Sequence, residues 1–182
     1  MLNPVGFFRS IPRQGGFLPP LAYALICSVI AGVLSGIISL LISLIGDQGF
    51  GAAIGVLFTT IIITPIATAV GLFIAAGIYH LLVWLLVKPS NAGFEATFRV
   101  VAYASALQLL SWLAAIPILG ILVAVAIGIY NIVLSVLGIR EVHSTSTGKA
   151  AMVVLIPVAI GIVLGLLIAA VVIAIIAAAL NQ

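Results

Sequence analysis

Few residues of this chain could do chemistry. It has two histidines, His80 and His143, and a single cysteine, Cys27. A protein metal site usually takes three or four ligands, so the two histidines alone do not make one. The sequence contains no HExxH motif, no paired Asp and no nucleophile elbow. It therefore predicts no catalytic residues, no metal and no cofactor, and a protein that is not an enzyme.

A phosphate-binding loop is excluded by the residue types at its fixed positions. Gly148-Lys149-Ala150 matches the end of such a loop only superficially. His143 stands where the first glycine is required, and Ala150 replaces the Ser or Thr that would hold the metal ion. Nucleotide hydrolysis is therefore not expected.

Polar side chains inside long apolar runs offer a candidate intramembrane cluster. Its six members are Tyr79, His80, Tyr103, Gln108, Tyr130 and Asn131. Gln108 lies nine residues after Arg99, and Asn131 nine before Arg140, so helices would place both about 14 Å from the charged ends. Two interpretations stay open: hydrogen bonds between spans, with one joining Gln108 and Asn131, or a pocket for a ligand or water. His80 is either a hydrogen-bonded structural residue or a proton-responsive group.

Charged residues at the ends of the apolar runs form a candidate cytoplasmic mouth. They are Glu95, Arg99, Arg140, Glu141 and Lys149. Glu95 and Arg99 are spaced to pair on one helix face. A hairpin between the two runs would bring Arg99 near Glu141 and Glu95 near Arg140. The group is either a patch for anionic lipid or a partner, or ordinary charged helix ends.

Glycine pairs at four-residue spacing mark candidate helix-packing faces. The pairs Gly32 with Gly36 and Gly161 with Gly165 lie in the first and last apolar runs. Small residues at this spacing let helices approach closely in a membrane. Packing within the chain and a homo-oligomer face are both open.

Composition decides the class of the protein. Hydrophobic residues make up 65% of the 182 residues and charged residues only 5%, with a mean hydropathy of +1.53. Soluble domains carry about 25% charged residues. A soluble enzyme, a nucleic-acid binder and a disordered chain are thereby excluded, and an integral membrane protein remains. Its net charge of +3 is expected to set topology rather than to attract nucleic acid.

The uncharged runs predict an all-α bundle of five transmembrane helices. The spans fall at about 20–45, 53–86, 94–115, 119–138 and 151–179, each long enough to cross a hydrocarbon core of about 30 Å. With five spans all six basic residues face one side, which predicts a cytoplasmic N-terminus and an external C-terminus. The segment 48–87 could be one kinked span or a span with a surface turn. The membrane domain would be 19–182.

Residues 1–18 precede the first span as a cytoplasmic segment. Asn3 and Pro4 are typical of a helix start, and Pro12 of a stop. With Phe7, Phe8 and Ile11 on one side, an interfacial helix on the cytoplasmic leaflet is expected. A poorly ordered basic tail is the alternative.

A set of short motifs resembles the prokaryotic branch of the YIP (Ypt-interacting protein) family. In chain order they are Asn3-Pro4, Phe7-Phe8, Pro19-Pro20-Leu21, the run Ala96 to Ser105, Ile116-Pro117, Gly120, Tyr130, Gly138-Ile139-Arg140, His143 to Ser146, Lys149-Ala150 and Leu155-Ile156-Pro157. The resemblance implies a five-helix membrane domain with a cytoplasmic N-terminus. Eukaryotic members are implicated in Golgi and endoplasmic-reticulum trafficking and in binding Rab-type GTPases. Their Asp-Leu-Tyr-Gly-Pro motif has no match here, so GTPase binding is not expected.

Two functions are compatible with these observations. The first is a YIP-like membrane scaffold or interaction protein, acting in membrane organisation or trafficking through protein or lipid contacts. The second is a small membrane transporter or channel that uses the intramembrane polar cluster. In both, membrane lipids are expected partners, with protein partners and a homo-oligomer left open. The expected location is a prokaryotic plasma membrane.

Overall fold

The computed structural model describes residues 3–45, 50–116 and 119–180, and every secondary-structure element within those ranges is helical. The α-helices are α1 (Pro4–Ser10), α2 (Leu18–Ile45), α3 (Phe50–Phe58), α4 (Thr64–Leu86), α5 (Phe94–Ala104), α6 (Leu119–Val142) and α7 (Thr147–Leu180). A π segment (Thr59–Ile63) joins α3 to α4, and a 3₁₀ segment (Ser105–Ala115) continues α5. Residues 46–49, next to the surface turn considered for 48–87, and residues 117–118, between the predicted spans 94–115 and 119–138, lie outside the described ranges.

Four stretches of the described chain are long and apolar enough to cross a membrane. They are Leu18–Ser43, Thr59–Leu86, Leu119–Val142 and Thr147–Leu180. The all-helical prediction and the membrane class are therefore confirmed. The remaining predicted span, 94–115, is helical throughout but changes from α to 3₁₀ geometry at Ser105. It is not among the four.

Helix α1 is the short helix expected ahead of the first span. The Asn3 side chain accepts a hydrogen bond from the Gly6 amide at 3.0 Å, and Pro4 occupies the first turn, where a missing N–H has no cost. The helix ends at Ser10, and the following residue Ile11 is extended, because Pro12 disfavours helical geometry in the residue before it. Whether α1 lies in the membrane interface stays a prediction.

Residues 50–86 form one helical rod with a local irregularity ahead of Pro65. Proline provides no N–H for the preceding turn and its ring crowds the carbonyl there, which a π turn relieves. Threonine hydroxyls bond the carbonyls around this turn, as in Thr59 Oγ1 to Gly55 O at 2.9 Å. Such bonds allow an irregular helix within a bilayer.

The core lies toward one end of the bundle. One buried cluster centres on Phe8, Val100, Leu134 and Ile139. A second joins Ala24, Leu72, Ala76 and Phe98. By contrast, residues 161–180 of α7 are exposed throughout. Contacts within the described chain therefore hold one end of α7, and the rest faces its surroundings.

Candidate functional site

The N-terminal helix is seated on the C-terminal part of α6 and touches Val100 and Tyr103 of α5. Phe8 is 1% exposed and lies over Gly138, where an added Cβ would come within 3.1 Å of the Phe8 ring and would also collide with Val100. Phe7 packs edge-on against Phe8 and Tyr103, with ring centroids 5.3 and 5.4 Å apart. The glycine makes room for an aromatic anchor that fixes α1 to the bundle.

The charged residues pair differently from the arrangement expected across the hairpin. Glu95 pairs with Arg99 at 3.0 Å, as their spacing on one helix predicts. Glu141 pairs with its neighbour Arg140 at 2.6 Å and with Arg9 of α1 at 3.0 Å. Among the described residues no ion pair joins Arg99 to Glu141 or Glu95 to Arg140, and α1 supplies a partner of Glu141 instead.

Arg99 binds the linker between α1 and α2 (residues 11–17) and does not face solvent. Its side chain is 3% exposed, and Nη2 donates to the Gly16 carbonyl at 2.9 Å. A buried guanidinium needs such acceptors, since it has five donors and no acceptor. The exposed cations at this end of the bundle are instead Arg9, Arg13, Lys88 and Lys149.

A hydrogen-bonded chain of three side chains joins α4, α5 and the α6–α7 loop. Oγ1 of Thr97 lies 3.0 Å from Nδ1 of His80 and 3.0 Å from Nε2 of His143. The Ala92 amide donates to Nδ1 of His143 at 3.0 Å. A neutral His143 therefore carries its proton on Nε2 and donates to Thr97, whose hydroxyl proton is then directed to His80.

Burial keeps His143, one member of this hydrogen-bonded series, in its neutral form. His143 is 0% exposed. Desolvation first, then the charges of His80 and Arg13, lower the pKa of His143 from 6.5 to about 4. His143 is neutral at physiological pH, as its acceptor role toward Ala92 requires. The structure thus shows His80 as hydrogen-bonded.

The intramembrane polar residues do not form one cluster. Tyr79, Gln108 and Asn131 line a cavity of about 520 Å³ between α4, the 3₁₀ segment and α6. The other three lie elsewhere: His80 bonds Thr97, Tyr103 stacks against Phe7 and Tyr23, and Tyr130 lines an apolar hollow with Leu107.

The expected bond between Gln108 and Asn131 is also replaced. Nδ2 of Asn131 donates to the carbonyl of Ala104 at 3.3 Å, at the point where α5 gives way to the 3₁₀ segment. In an uninterrupted α-helix the backbone N–H of Gln108 would donate to that carbonyl. Asn131 therefore joins the two spans through the backbone, and the Gln108 side chain faces the cavity.

The two glycine pairs have different surroundings. A Cβ on Gly32 would meet the Thr60 carbonyl at 2.6 Å, and one on Gly36 would meet Leu57 at 2.6 Å. That pair lets α2 approach the π segment and α3. A Cβ added to Gly161 or Gly165 would meet no atom within 4 Å among the described residues, so neither glycine makes a close helix contact there.

Thr97, Phe8 and Gly138 were not predicted as site residues, and His143 was considered as a metal ligand, as a phosphate-loop position and as part of a family motif, but not as a hydrogen-bonding residue. A threonine within the apolar start of α5, and a histidine just after an apolar run, were the available signals. In the described part of the chain, no three His, Cys, Asp or Glu residues lie close enough to hold a metal ion.

The fold and this site define a helical integral membrane protein with a packed polar end that carries the N-terminal helix. The family model of the Yip1 domain matches residues 1–169. The chain belongs to the Yip1 domain family, which is not known for enzymatic activity. Comparisons with curated proteins and with solved structures found no match.

Proposed function

We propose that this protein is a non-enzymatic Yip1-domain scaffold of a prokaryotic plasma membrane, whose cytoplasmic end binds proteins or anionic lipid. The observation that carries the proposal is the docked helix α1. Phe8 anchors it, while Arg9 remains 71% exposed despite its pair with Glu141. The helix thus presents cations from a fixed position instead of a loose tail.

The proposed topology has five spans, with the N-terminus in the cytoplasm and the C-terminus outside. Eleven α-helical residues and eleven 3₁₀ residues from Phe94 to Ala115 extend about 38 Å, because 3₁₀ geometry rises about 2.0 Å per residue instead of 1.5 Å. This supports α5 with the 3₁₀ segment as the remaining span of a core about 30 Å thick.

Contacts within the described chain support the placement of the basic residues on one side of the membrane. Arg99 at the start of α5 bonds Gly16 ahead of α2, and Arg13 bonds Ser144 after α6 at 2.9 Å. Reporter fusions at Lys88, Gly120 and Gln182 should read cytoplasmic, external and external. A cytoplasmic signal at Gln182 would contradict the five-span topology.

Lipid retention tests the binding surface. Replacing Arg9 and Arg13 together with Gln removes two exposed cations, each worth about 1 kcal/mol near an anionic surface. We expect about 30-fold weaker retention of phosphatidylglycerol at low salt, with the difference shrinking as salt rises. Gln14→Ala changes the same linker without altering charge and should retain lipid normally. Unchanged retention in the double variant would refute the lipid-binding surface.

A transporter or channel is the second candidate, favoured by the cavity that Gln108 and Asn131 line. The test is solute flux into liposomes with wild-type protein and Gln108→Leu. Flux that depends on Gln108 would support this candidate, and flux equal to that of protein-free liposomes would remove it.

A further inference from the structure

The polar lining extends beyond one cavity. A second cavity, of about 310 Å³, lies between α2, the π segment and the 3₁₀ segment. Both cavities are lined by Thr64, Thr68 and Gln108, so they adjoin along one face of α4. We call this combined feature the polar groove.

The polar groove is long enough to cross a bilayer. Along α4 and the π segment its lining includes Thr60, Thr64, Thr68 and Tyr79. The nineteen residue steps from Thr60 to Tyr79 cover about 28 Å at helical rise, close to the thickness of a hydrocarbon core of about 30 Å. Hydroxyls therefore occur at intervals over the depth of the membrane.

The groove offers hydrogen-bonding groups that the described chain does not use. Within the described ranges, neither the side-chain amide of Gln108 nor the hydroxyls of Thr68 and Ser135 have a hydrogen-bond partner. Polar groups left unpaired in hydrocarbon are costly. They require water or a polar ligand, and none of the described lining residues is charged.

One side of the groove is open. Thr64, Ala67 and Gly71 line it and are exposed, and they belong to a helix long and apolar enough to span the membrane. In a bilayer the open side faces lipid tails. A water-soluble cargo would be left against hydrocarbon there, whereas a phospholipid could place its headgroup in the groove and leave its tails in the membrane.

We propose that the polar groove carries phospholipid headgroups between the two leaflets. The hydroxyls of Thr68 and Ser135 and the side-chain amide of Gln108 donate to phosphate and ester oxygens along the path, and the tails stay in the bilayer. This activity is separate from the scaffold proposal and does not depend on it.

The test is lipid scrambling by the purified full-length protein in phosphatidylcholine vesicles that contain a trace of fluorescent phosphatidylcholine. A membrane-impermeant reductant bleaches only the outer leaflet, about half of the label, unless lipids cross. We expect the wild-type protein to expose nearly all of the label. Thr64→Val with Thr68→Val, and separately Gln108→Leu, should slow crossing about tenfold, equivalent to about 1.4 kcal/mol of barrier.

Thr59→Val is the matched control, because Thr59 lies on the same rod but does not line the groove. It should scramble at the wild-type rate. Bleaching that stops at half with wild-type protein would overturn the proposal. So would wild-type rates in the groove variants, an equal loss in Thr59→Val, or glycerol flux without lipid crossing. Retention of phosphatidylglycerol by the same preparation reports separately on the scaffold proposal.

Discussion

Replacing Phe8 should release α1 from the bundle. The helix has seven residues, too few to be stable alone, so its position depends on tertiary contacts. Phe8 is 1% exposed, and complete burial of such a side chain contributes about 1.5–3 kcal/mol. The ion pair of Arg9 with Glu141 is largely exposed on the arginine side and contributes about 0–1 kcal/mol.

These magnitudes rank three variants by how far each should release α1. With about 1.4 kcal/mol per tenfold change, Phe8→Ala should increase the undocked population of α1 by roughly 10- to 150-fold. Arg9→Gln should increase it by at most about 5-fold. Phe8→Leu keeps most of the apolar area and should lie between them.

Trypsin cleavage after Arg13 measures the undocked population in nanodiscs, because the Arg13 side chain bonds Ser144 when α1 is seated. When opening and closing are fast, the cleavage rate follows the open fraction. Circular dichroism checks that the bundle remains helical. Faster cleavage in Arg9→Gln than in Phe8→Ala, or cleavage of Phe8→Ala at the wild-type rate, would show that Phe8 does not hold α1 in place.

Three further outcomes follow from the same structure. The pKa of His143 is lowered from 6.5 to about 4, so its contribution to the free energy of unfolding is complete above pH 6.5 and is lost as pH falls toward 4, by at most roughly 3 kcal/mol. Thermal unfolding measured across this pH range should show the loss. An unchanged pH dependence in His143→Asn would contradict the assignment. In unfolding measurements, Asn131→Leu should lower the free energy of unfolding by about 0.6–1.7 kcal/mol, because its bond to Ala104 is lost, and Gln108→Leu should lower it little. Strong coupling between the two substitutions in the double variant would show that the two side chains interact after all. Gly32→Val should destabilise the protein by about 1–3 kcal/mol because its side chain meets the Thr60 carbonyl, whereas Gly161→Val should leave monomer stability unchanged; equal effects would be inconsistent with the packing described.

The sequence could not provide the direction in which the Gln108 side chain points, because that depends on how the helix that carries it is wound. The 3₁₀ segment turns about 120° per residue where an α-helix turns about 100°. Between Ser105 and Gln108 the difference reaches about 60°, and the larger rise moves Gln108 further along the axis. With α geometry the Gln108 side chain was expected to bond Asn131, whereas in the structure both residues line the cavity and Asn131 bonds the Ala104 carbonyl.

The sequence by itself determined properties that depend on composition or on neighbouring residues. The membrane class followed from nine charges in 182 residues, the family from ordered short motifs, and the pair of Glu95 with Arg99 from spacing on one helix. Only the tertiary structure decided that Glu141 pairs with Arg9, that Thr97 links two histidines, and that Arg99 is buried. Each depends on how separate helices rotate and dock, which no local spacing encodes because one residue of π insertion alone turns a face by about 100°.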